Sequence, residues 1–117
     1  DIIIFLSRTR IRGEVVRRAS KILEVVGIEN EKPITRTIFE WNPSTDKFEK
    51  REPSVVLKKI AELAGLKEDE VIGELFRRKK IIEWMLEHNI YDYRQVAKII
   101  HTYYTDPERL MDYITSV

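Results

Sequence analysis

The hydrophobic pattern of this chain changes its period once, at Pro53. Before Pro53, apolar residues fall in short segments typical of β-strands, separated by polar, turn-forming stretches. After Pro53, apolar residues recur every three or four positions, as on one face of an α-helix. A run of strands followed by a run of helices is typical of an α+β fold, so we expect an antiparallel β-meander and then a small helical bundle.

Four strands are predicted in the first half of the chain. The longest is rich in valine, isoleucine and leucine and should end at Gly27, while Gly13 can take the positive φ of the turn before it. The predicted strands are residues 2–8, 14–26, 34–41 and 47–51. Turn-forming residues separate successive strands, which favours antiparallel pairing. Trp41 should therefore lie near Phe48 across the last turn, because aromatic cross-strand pairs stabilise hairpins.

The first predicted strand has an unusual composition. Residues 2–6 are all apolar, so both faces of this strand are apolar. Such strands are usually buried in a sheet with neighbours on both sides. We therefore expect this polypeptide to be the tail of a longer protein and its first strand to belong to a larger sheet.

Four helices are predicted in the second half. Pro53 suits a first helical turn and Gly65 a C-terminal stop. Asp92 with Gln95 predicts a capping box for the third helix, and Asp106 precedes the fourth. The predicted helices are residues 53–64, 68–88, 93–104 and 107–115. The apolar positions expected to face inward on the first helix are Val56, Ile60, Leu63 and Ala64.

The composition excludes several classes of protein. The chain has 21 basic and 20 acidic residues, so its net charge of +1 provides no general attraction to nucleic acid. It has no cysteine, which excludes disulfides and thiolate metal sites. It also has no apolar run near the ~20 residues that a membrane-spanning helix needs.

Arginine is concentrated near the start of the chain. The candidate contact residues are Arg8, Arg10, Arg12, Arg17 and Arg18. Arginine suits bidentate contacts with carboxylate or phosphate groups. Two interpretations stay open: these side chains are solvated charges at a strand edge, or they form a surface that contacts a subunit or a phosphate group.

Residues 60–71 resemble a helix-turn-helix, which gives an alternative function. An independent binding module of this kind could bind nucleic acid through its second helix. That helix begins with three acids, residues 68–70, which phosphate groups would repel. Nucleic acid is therefore an unlikely partner, and the motif is expected to serve packing.

No catalytic, cofactor-binding or metal-binding residue is predicted. None of the four glycines belongs to a phosphate-binding G-x-x-x-x-G-K-[ST] loop. His88 and His101 lack a carboxylate cluster at ligand spacing. We expect the isolated polypeptide to hydrolyse no ATP.

The sequence resembles the C-terminal end of archaeal secretion ATPases, which belong to the type II and type IV secretion superfamily of GspE- and PilT-like motors. The resemblance covers nearly the whole chain. It is carried by strand and helix patterns, and no catalytic signature contributes to it. The segments that carry it are residues 1–8, 17–27, 39–48, 77–85 and 91–97.

The resemblance implies a C-terminal domain of a hexameric cytoplasmic ATPase for secretion or for archaellum or pilus assembly. Residues 1–52 would be closing strands of its RecA-like core, and residues 53–117 a helical C-terminal subdomain. The implied partners are the protein's own core, neighbouring subunits and a membrane-platform protein at the inner face of the membrane. ATP and Mg²⁺ are implied for the parent enzyme and would bind upstream of these residues.

Overall fold

The computed structural model describes residues 1–116, and over this range the chain forms a four-stranded sheet followed by four helices. The strands are β1 (Ile2–Ile11), β2 (Glu14–Glu29), β3 (Lys32–Asn42) and β4 (Lys47–Lys50). The helices are α1 (Val55–Ala64), α2 (Glu68–Glu87), α3 (Tyr93–Thr105) and α4 (Pro107–Ser116). Neighbouring strands pair antiparallel in the order β1-β2-β3-β4, which confirms the predicted α+β fold.

A two-residue turn joins β1 to β2. Ile11 pairs with Glu14, and the two residues between them, Arg12 and Gly13, have φ values of 50° and 82°. Positive φ at both central positions gives a backbone twist that matches the twist of the flanking strands. The predicted conformation of Gly13 is confirmed, and the tight turn lets β1 extend beyond its predicted end at residue 8.

The predicted end of the second strand, at Gly27, is wrong. Gly27 stays within the ladder between β2 and β3, and the chain turns instead at Asn30 and Glu31, with φ values of 50° and 63°. Asparagine tolerates this left-handed conformation because its short polar side chain hydrogen-bonds locally. The third strand therefore begins at Lys32, two residues earlier than predicted.

β1 is an edge strand of this sheet, and its apolar residues 2–6 are exposed. The expectation that β1 belongs to a larger sheet of a longer protein stays a prediction. Ile2, Ile4 and Leu6 have exposed fractions of 54%, 56% and 81%. The physical reason is topological, since the first strand of a meander pairs only with the second. β1 consequently presents unpaired backbone groups and apolar side chains together.

The predicted contact between Trp41 and Phe48 is confirmed. The two residues are direct partners in the ladder between β3 and β4. Direct cross-strand partners share one face of a sheet and stabilise the hairpin by roughly 0.2–1 kcal/mol. Trp41 is buried, while Phe48 is half exposed.

Helix α1 begins two residues later than predicted. Ser54 is its N-cap and accepts a hydrogen bond from the Leu57 backbone N–H, at 3.0 Å, so Pro53 precedes the helix. Gly65 ends the helix as predicted, with a φ of 67°.

The predicted inward face of α1 is wrong at Ile60, Leu63 and Ala64, which are exposed, whereas Val56 is half-buried. Ala61 is the buried residue of this helix, whereas Ile60 and Leu63 are 46% and 90% exposed. A ten-residue helix with apolar residues on two sides can bury only one of them. The side with the small Ala61 is buried, because a small side chain lets the helix backbone come closer to the residues against which it packs.

A carboxylate from the sheet also binds the first turn of α1. Glu24 on β2 is 3% exposed and accepts hydrogen bonds from the Val55 N–H at 2.7 Å and the Val56 N–H at 3.1 Å. The Ser54 hydroxyl donates to the same carboxylate. Burial raises the pKa of Glu24, but these hydrogen bonds more than compensate and hold it below its usual value.

The capping box predicted for the third helix does not form. Asp92 is the N-cap of α3, but its side chain makes no capping hydrogen bond and lies 3.5 Å from Arg94 instead. The carboxylate thus pairs with a nearby cation in place of the backbone. At the start of α4, Asp106 accepts a hydrogen bond from the Arg109 N–H at 3.3 Å, as predicted for a cap.

The chain divides into two compact units, Asp1–Glu68 and the residues from Asp69 onward. The first contains the sheet and α1. The second has a core of buried side chains from α2, α3 and α4. These core residues are Ile81, Trp84, Met85, Tyr103, Leu110 and Ile114. The division into domains after residue 52 stays a prediction.

Candidate functional site

The candidate arginines lie on the β1–β2 hairpin, and the strand register separates them. Arg8 is the direct cross-strand partner of Arg17, so both lie on one face of the sheet. Arg10, two positions along β1, shares that face. Arg18 pairs with Ser7 and lies on the opposite face, while Arg12 is in the turn. The structure therefore brings three of the five arginines onto one face.

Arg8 and Arg17 form a like-charged pair. Both side chains are exposed, and neither makes an ion pair with any of residues 1–116. Like charges directly opposite each other on a sheet are destabilising. Their positions border a shallow depression of the surface that Leu6, Ser7, Arg18 and Ala19 also line. An anion bound from outside the described chain would relieve this repulsion.

Arg18 has an internal partner. Its guanidinium donates two hydrogen bonds to Asp46, at 2.8 and 3.0 Å, and the Trp41 indole N–H donates to the same carboxylate at 2.9 Å. A third guanidinium bond, at 2.9 Å, goes to the Arg17 carbonyl oxygen. Arg18 thus ties β2 to the turn between β3 and β4, and sequence alone did not single out Asp46.

These contacts stabilise the charged form of Asp46. The hydrogen bond from Arg18, followed by that from Trp41, lowers the pKa of Asp46 from 3.8 to about 2. The same pairing raises the pKa of Arg18. Both groups are charged over the whole range in which proteins are usually studied.

Acid should weaken this part of the fold. Because the folded-state pKa of Asp46 is depressed, its stabilising contribution is complete above pH 3.8 and is lost as the pH falls to about 2. We expect Asp46→Asn to be less stable than the parent chain at pH 6, with the difference shrinking towards pH 2. Urea unfolding followed by circular dichroism at several pH values measures this difference.

Asp112→Asn is the matched control, because the Asp112 carboxylate lies exposed on α4 without an ion pair among the described residues. Its stability should follow that of the parent chain at each pH. A constant difference between Asp46→Asn and the parent chain from pH 6 to pH 2 would contradict the role of the ionised carboxylate.

Within residues 1–116, no cluster of three or more histidine, aspartate or glutamate side chains could hold a metal ion. Among the helices of this part of the chain, none is both long and apolar enough to cross a membrane.

Comparison with known proteins gives a family match. The model of a family described as "PilB3-like, C-terminal" matches residues 44–116. This segment runs from the turn between β3 and β4 through all four helices.

Three relatives come from Methanocaldococcus jannaschii. The uncharacterized protein MJ0900 is 39% identical over 99 residues, which cover 80% of this chain and 18% of that protein. The uncharacterized protein MJ0781 is 30% identical over 113 residues, covering 95% of this chain and 16% of that protein. The uncharacterized protein MJ1287 is 37% identical over 73 residues, which cover 61% of this chain and 27% of that protein. The chain thus spans less than a third of the length of each relative.

Proposed function

This chain belongs to the PilB3-like C-terminal family, and from that premise we propose that it is the C-terminal domain of a pilus-type or archaellum-type motor ATPase. In this proposal the longer protein hydrolyses ATP and drives protein secretion or the assembly of a surface filament. The domain itself supplies contacts to its own ATPase core and to neighbouring subunits of a hexamer. A membrane-platform protein is a further proposed partner.

The sequence motifs support this division of labour. A motor of this class needs a glycine loop for the phosphates, and no G-x-x-x-x-G-K-[ST] loop occurs among these 117 residues. We therefore assign ATP and Mg²⁺ to the upstream core of the parent protein. The role that we assign to this domain is contact with the core and with neighbouring subunits, and not ATP hydrolysis.

The observation that carries the contact role is the cross-strand pair of Arg8 and Arg17. The two guanidinium groups lie on one sheet face, and neither is paired with a carboxylate of residues 1–116. An acidic surface on another part of the assembly would suit them as a partner. Arg8 lies on β1, the strand with a free edge, where apolar side chains such as Leu6 are also exposed, and Arg17 lies on the neighbouring strand β2. Protein interfaces combine an apolar core with a polar rim and are enriched in arginine, so neighbouring arginine and apolar side chains suit such a contact.

The double variant Arg8→Gln, Arg17→Gln in the full-length motor tests this role. We expect at least a tenfold increase in the dissociation constant between subunits, equivalent to about 1.4 kcal/mol, because both proposed charge-assisted contacts are lost. Sedimentation velocity measures assembly, and ATP turnover is followed in parallel.

Lys58→Gln, Lys59→Gln is the matched control, because it removes two exposed positive charges from α1. Assembly of this control should be unaffected. In the isolated chain, the arginine variant should unfold at the same temperature as the parent or slightly higher, since repulsion is removed. Normal assembly and ATP turnover of the full-length arginine variant would contradict the contact role and would show that Arg8 and Arg17 are ordinary solvated charges.

A further inference from the structure

Helices α2 and α3 form a hairpin, and helix α4 packs on one side of it. A short connection joins the end of α2 to the start of α3, and the Tyr103 hydroxyl near the end of α3 donates a hydrogen bond to Glu74 in the first half of α2. The two helices therefore run antiparallel. On the side where α4 packs, Leu110 and Ile114 of α4 are buried in the shared core.

The side of the hairpin away from α4 is an open apolar cleft. Trp84 meets Tyr113 of α4, with 5.7 Å between the ring centres, so Trp84 faces α4. Ile82 lies two positions before Trp84 and about 200° from it around α2, so Ile82 faces the cleft. The other residues that line the cleft are Arg78, Ile81, Met85, Ile100, Tyr103 and Tyr104.

The dimensions of this cleft suit a helix. Its volume is about 220 Å³, below the roughly 300 Å³ at which small-molecule sites begin. Ile82, Ile100 and Tyr104 at its rim have exposed fractions of 56%, 45% and 68%. The exposed stripe of α3 runs from Tyr93 to Tyr104 at a 4-3-4 spacing and is about 16 Å long. Helix α4, with ten residues, is about 15 Å long, so a helix of its size matches this stripe.

Two consecutive arginines of α2 face the two sides of the hairpin. Arg77 donates a hydrogen bond to Glu108 of α4 at 2.9 Å, although Glu74 of its own helix is also within 3.9 Å. Arg78 is about 100° further around α2 and lines the open cleft. It binds Glu74 through one N–H group at 3.1 Å, and a guanidinium has five N–H donors. Arg78 can therefore bind a second carboxylate, as Arg77 does.

The charge of the cleft favours an acidic partner. Among the described residues that line it, Arg78 alone is charged. Its guanidinium lies 5.8 and 5.7 Å from the ring centres of Tyr103 and Tyr104. A guanidinium stacked on aromatic rings keeps the N–H groups at its edge available to a carboxylate. Helix α3, which forms the other wall, contains no acidic residue that would repel such a carboxylate.

The contact that α4 makes with this hairpin indicates what the open side can bind. Helix α4 combines the carboxylate of Glu108, which pairs with Arg77, and the buried apolar side chains of Leu110 and Ile114. We propose that the open cleft binds an amphipathic helix of a partner protein by the same chemistry. Apolar side chains of the partner enter the cleft, and one of its carboxylates binds Arg78. This contact goes beyond the proposed motor function and does not depend on it, since every residue involved lies on α2 or α3.

The shape of the cleft favours a helix over an anionic lipid surface. Such a surface also attracts apolar and cationic side chains. Ile81 and Met85, however, are 4% and 7% exposed where they line the cleft. A flat surface would touch only the rim, whereas the side chains of a helix can enter a groove and reach these two residues.

A synthetic peptide tests the contact on the 117-residue chain. The probe is an alanine-based helix of about 18 residues, with leucines at i, i+4 and i+7 and glutamates on either side of them. The control peptide has glutamine in place of each glutamate. We expect the chain to bind the glutamate peptide at least about threefold more tightly, because only that peptide forms an ion pair with Arg78. An NMR titration measures the affinity, and the shifted amide signals locate the site on α2 and α3.

Two variants separate the charged and apolar parts of the contact. Arg78→Gln should remove the preference for the glutamate peptide, whereas Arg109→Gln, an exposed arginine on α4 without an ion pair among residues 1–116, should keep it. Ile100→Ser should weaken binding of both peptides at least about tenfold, the effect of losing a central apolar side chain. Ile28→Ser is its matched control, because Ile28 is 77% exposed on β2. Circular dichroism verifies that each variant is folded.

Several results would overturn the proposal. One is the absence of binding to the glutamate peptide at millimolar concentration. Another is a preference for glutamate that persists in Arg78→Gln, or binding that Ile100→Ser and Ile28→Ser weaken equally. Sedimentation with vesicles of phosphatidylcholine and phosphatidylglycerol tests the lipid alternative. Vesicle binding that Ile100→Ser abolishes, in a chain that does not bind the peptide, would show that the cleft faces a lipid surface.

Discussion

Replacing Glu24 by alanine is expected to lower the free energy of unfolding by about 2–4 kcal/mol. The carboxylate is 3% exposed and accepts hydrogen bonds from the Ser54 hydroxyl and from the Val55 and Val56 N–H groups. Hydrogen bonds to a charged group contribute about 1.5–3 kcal/mol, and buried donors without a partner add a further penalty. The helix dipole adds to the loss, because a negative charge at an N-terminus is favourable.

Glu24→Gln separates charge from shape in this interaction. The amide keeps one acceptor oxygen, so Glu24→Gln should lower the free energy of unfolding by less than Glu24→Ala does. Glu29→Ala is the control on the same strand, since Glu29 is exposed at the end of β2 and its loss should cost less than about 0.5 kcal/mol.

Urea unfolding measures the loss of stability, and hydrogen exchange locates it. Faster exchange of α1 amides in Glu24→Ala is expected, because the Val55 and Val56 N–H groups in the first turn of that helix lose their acceptor. Unchanged protection of α1, or equal costs for Glu24→Ala and Glu29→Ala, would mean that the carboxylate does not hold α1.

Replacing Trp84 by alanine should cost about 3–5 kcal/mol, the range for large aromatic residues in a core. Trp84 is 9% exposed within the core of the second unit. Its ring stacks on His88 at 4.5 Å and meets the edge of Tyr113 at 5.7 Å, both measured between ring centres. Ile82→Ala, on the same helix but 56% exposed, is the matched control and should cost much less.

The indole N–H of Trp84 makes this prediction sharper. It is buried and has no hydrogen-bond partner among residues 1–116. An unpaired buried donor is unfavourable, so Trp84→Phe removes a penalty while it also removes some packing. We expect Trp84→Phe to cost less than half as much as Trp84→Ala in urea unfolding. Similar costs for the two variants would imply that the indole N–H has a favourable partner.

The sequence by itself determined the features that depend on neighbouring residues. The change of period at Pro53 predicted the order of strands and helices, and Gly13 and Gly65 predicted left-handed positions that the structure has. Each of these follows from the conformational preferences of a few consecutive residues. The pairing of Trp41 with Phe48 was also predictable, because a short turn leaves little choice of register.

Some local predictions failed because two local signals competed. Gly27 is a good turn residue, yet Asn30 and Glu31 form the turn and β2 continues past the glycine. Asp92 occupies the cap position of α3, but its carboxylate pairs with Arg94. Sequence spacing gives each signal separately, and the energies that decide between them come from the surrounding contacts.

Only the tertiary structure decided which charged groups meet. Glu24 reaches the start of α1 across 30 positions of sequence, and Arg18 reaches Asp46 across 28. The same register put Arg8 opposite Arg17 and left both without an acidic partner among the described residues. Charge alone does not specify a partner, because an exposed arginine and a paired arginine have the same sequence signature. The pairing depends on strand register and on where the chain returns, and both are set by the packing of distant segments.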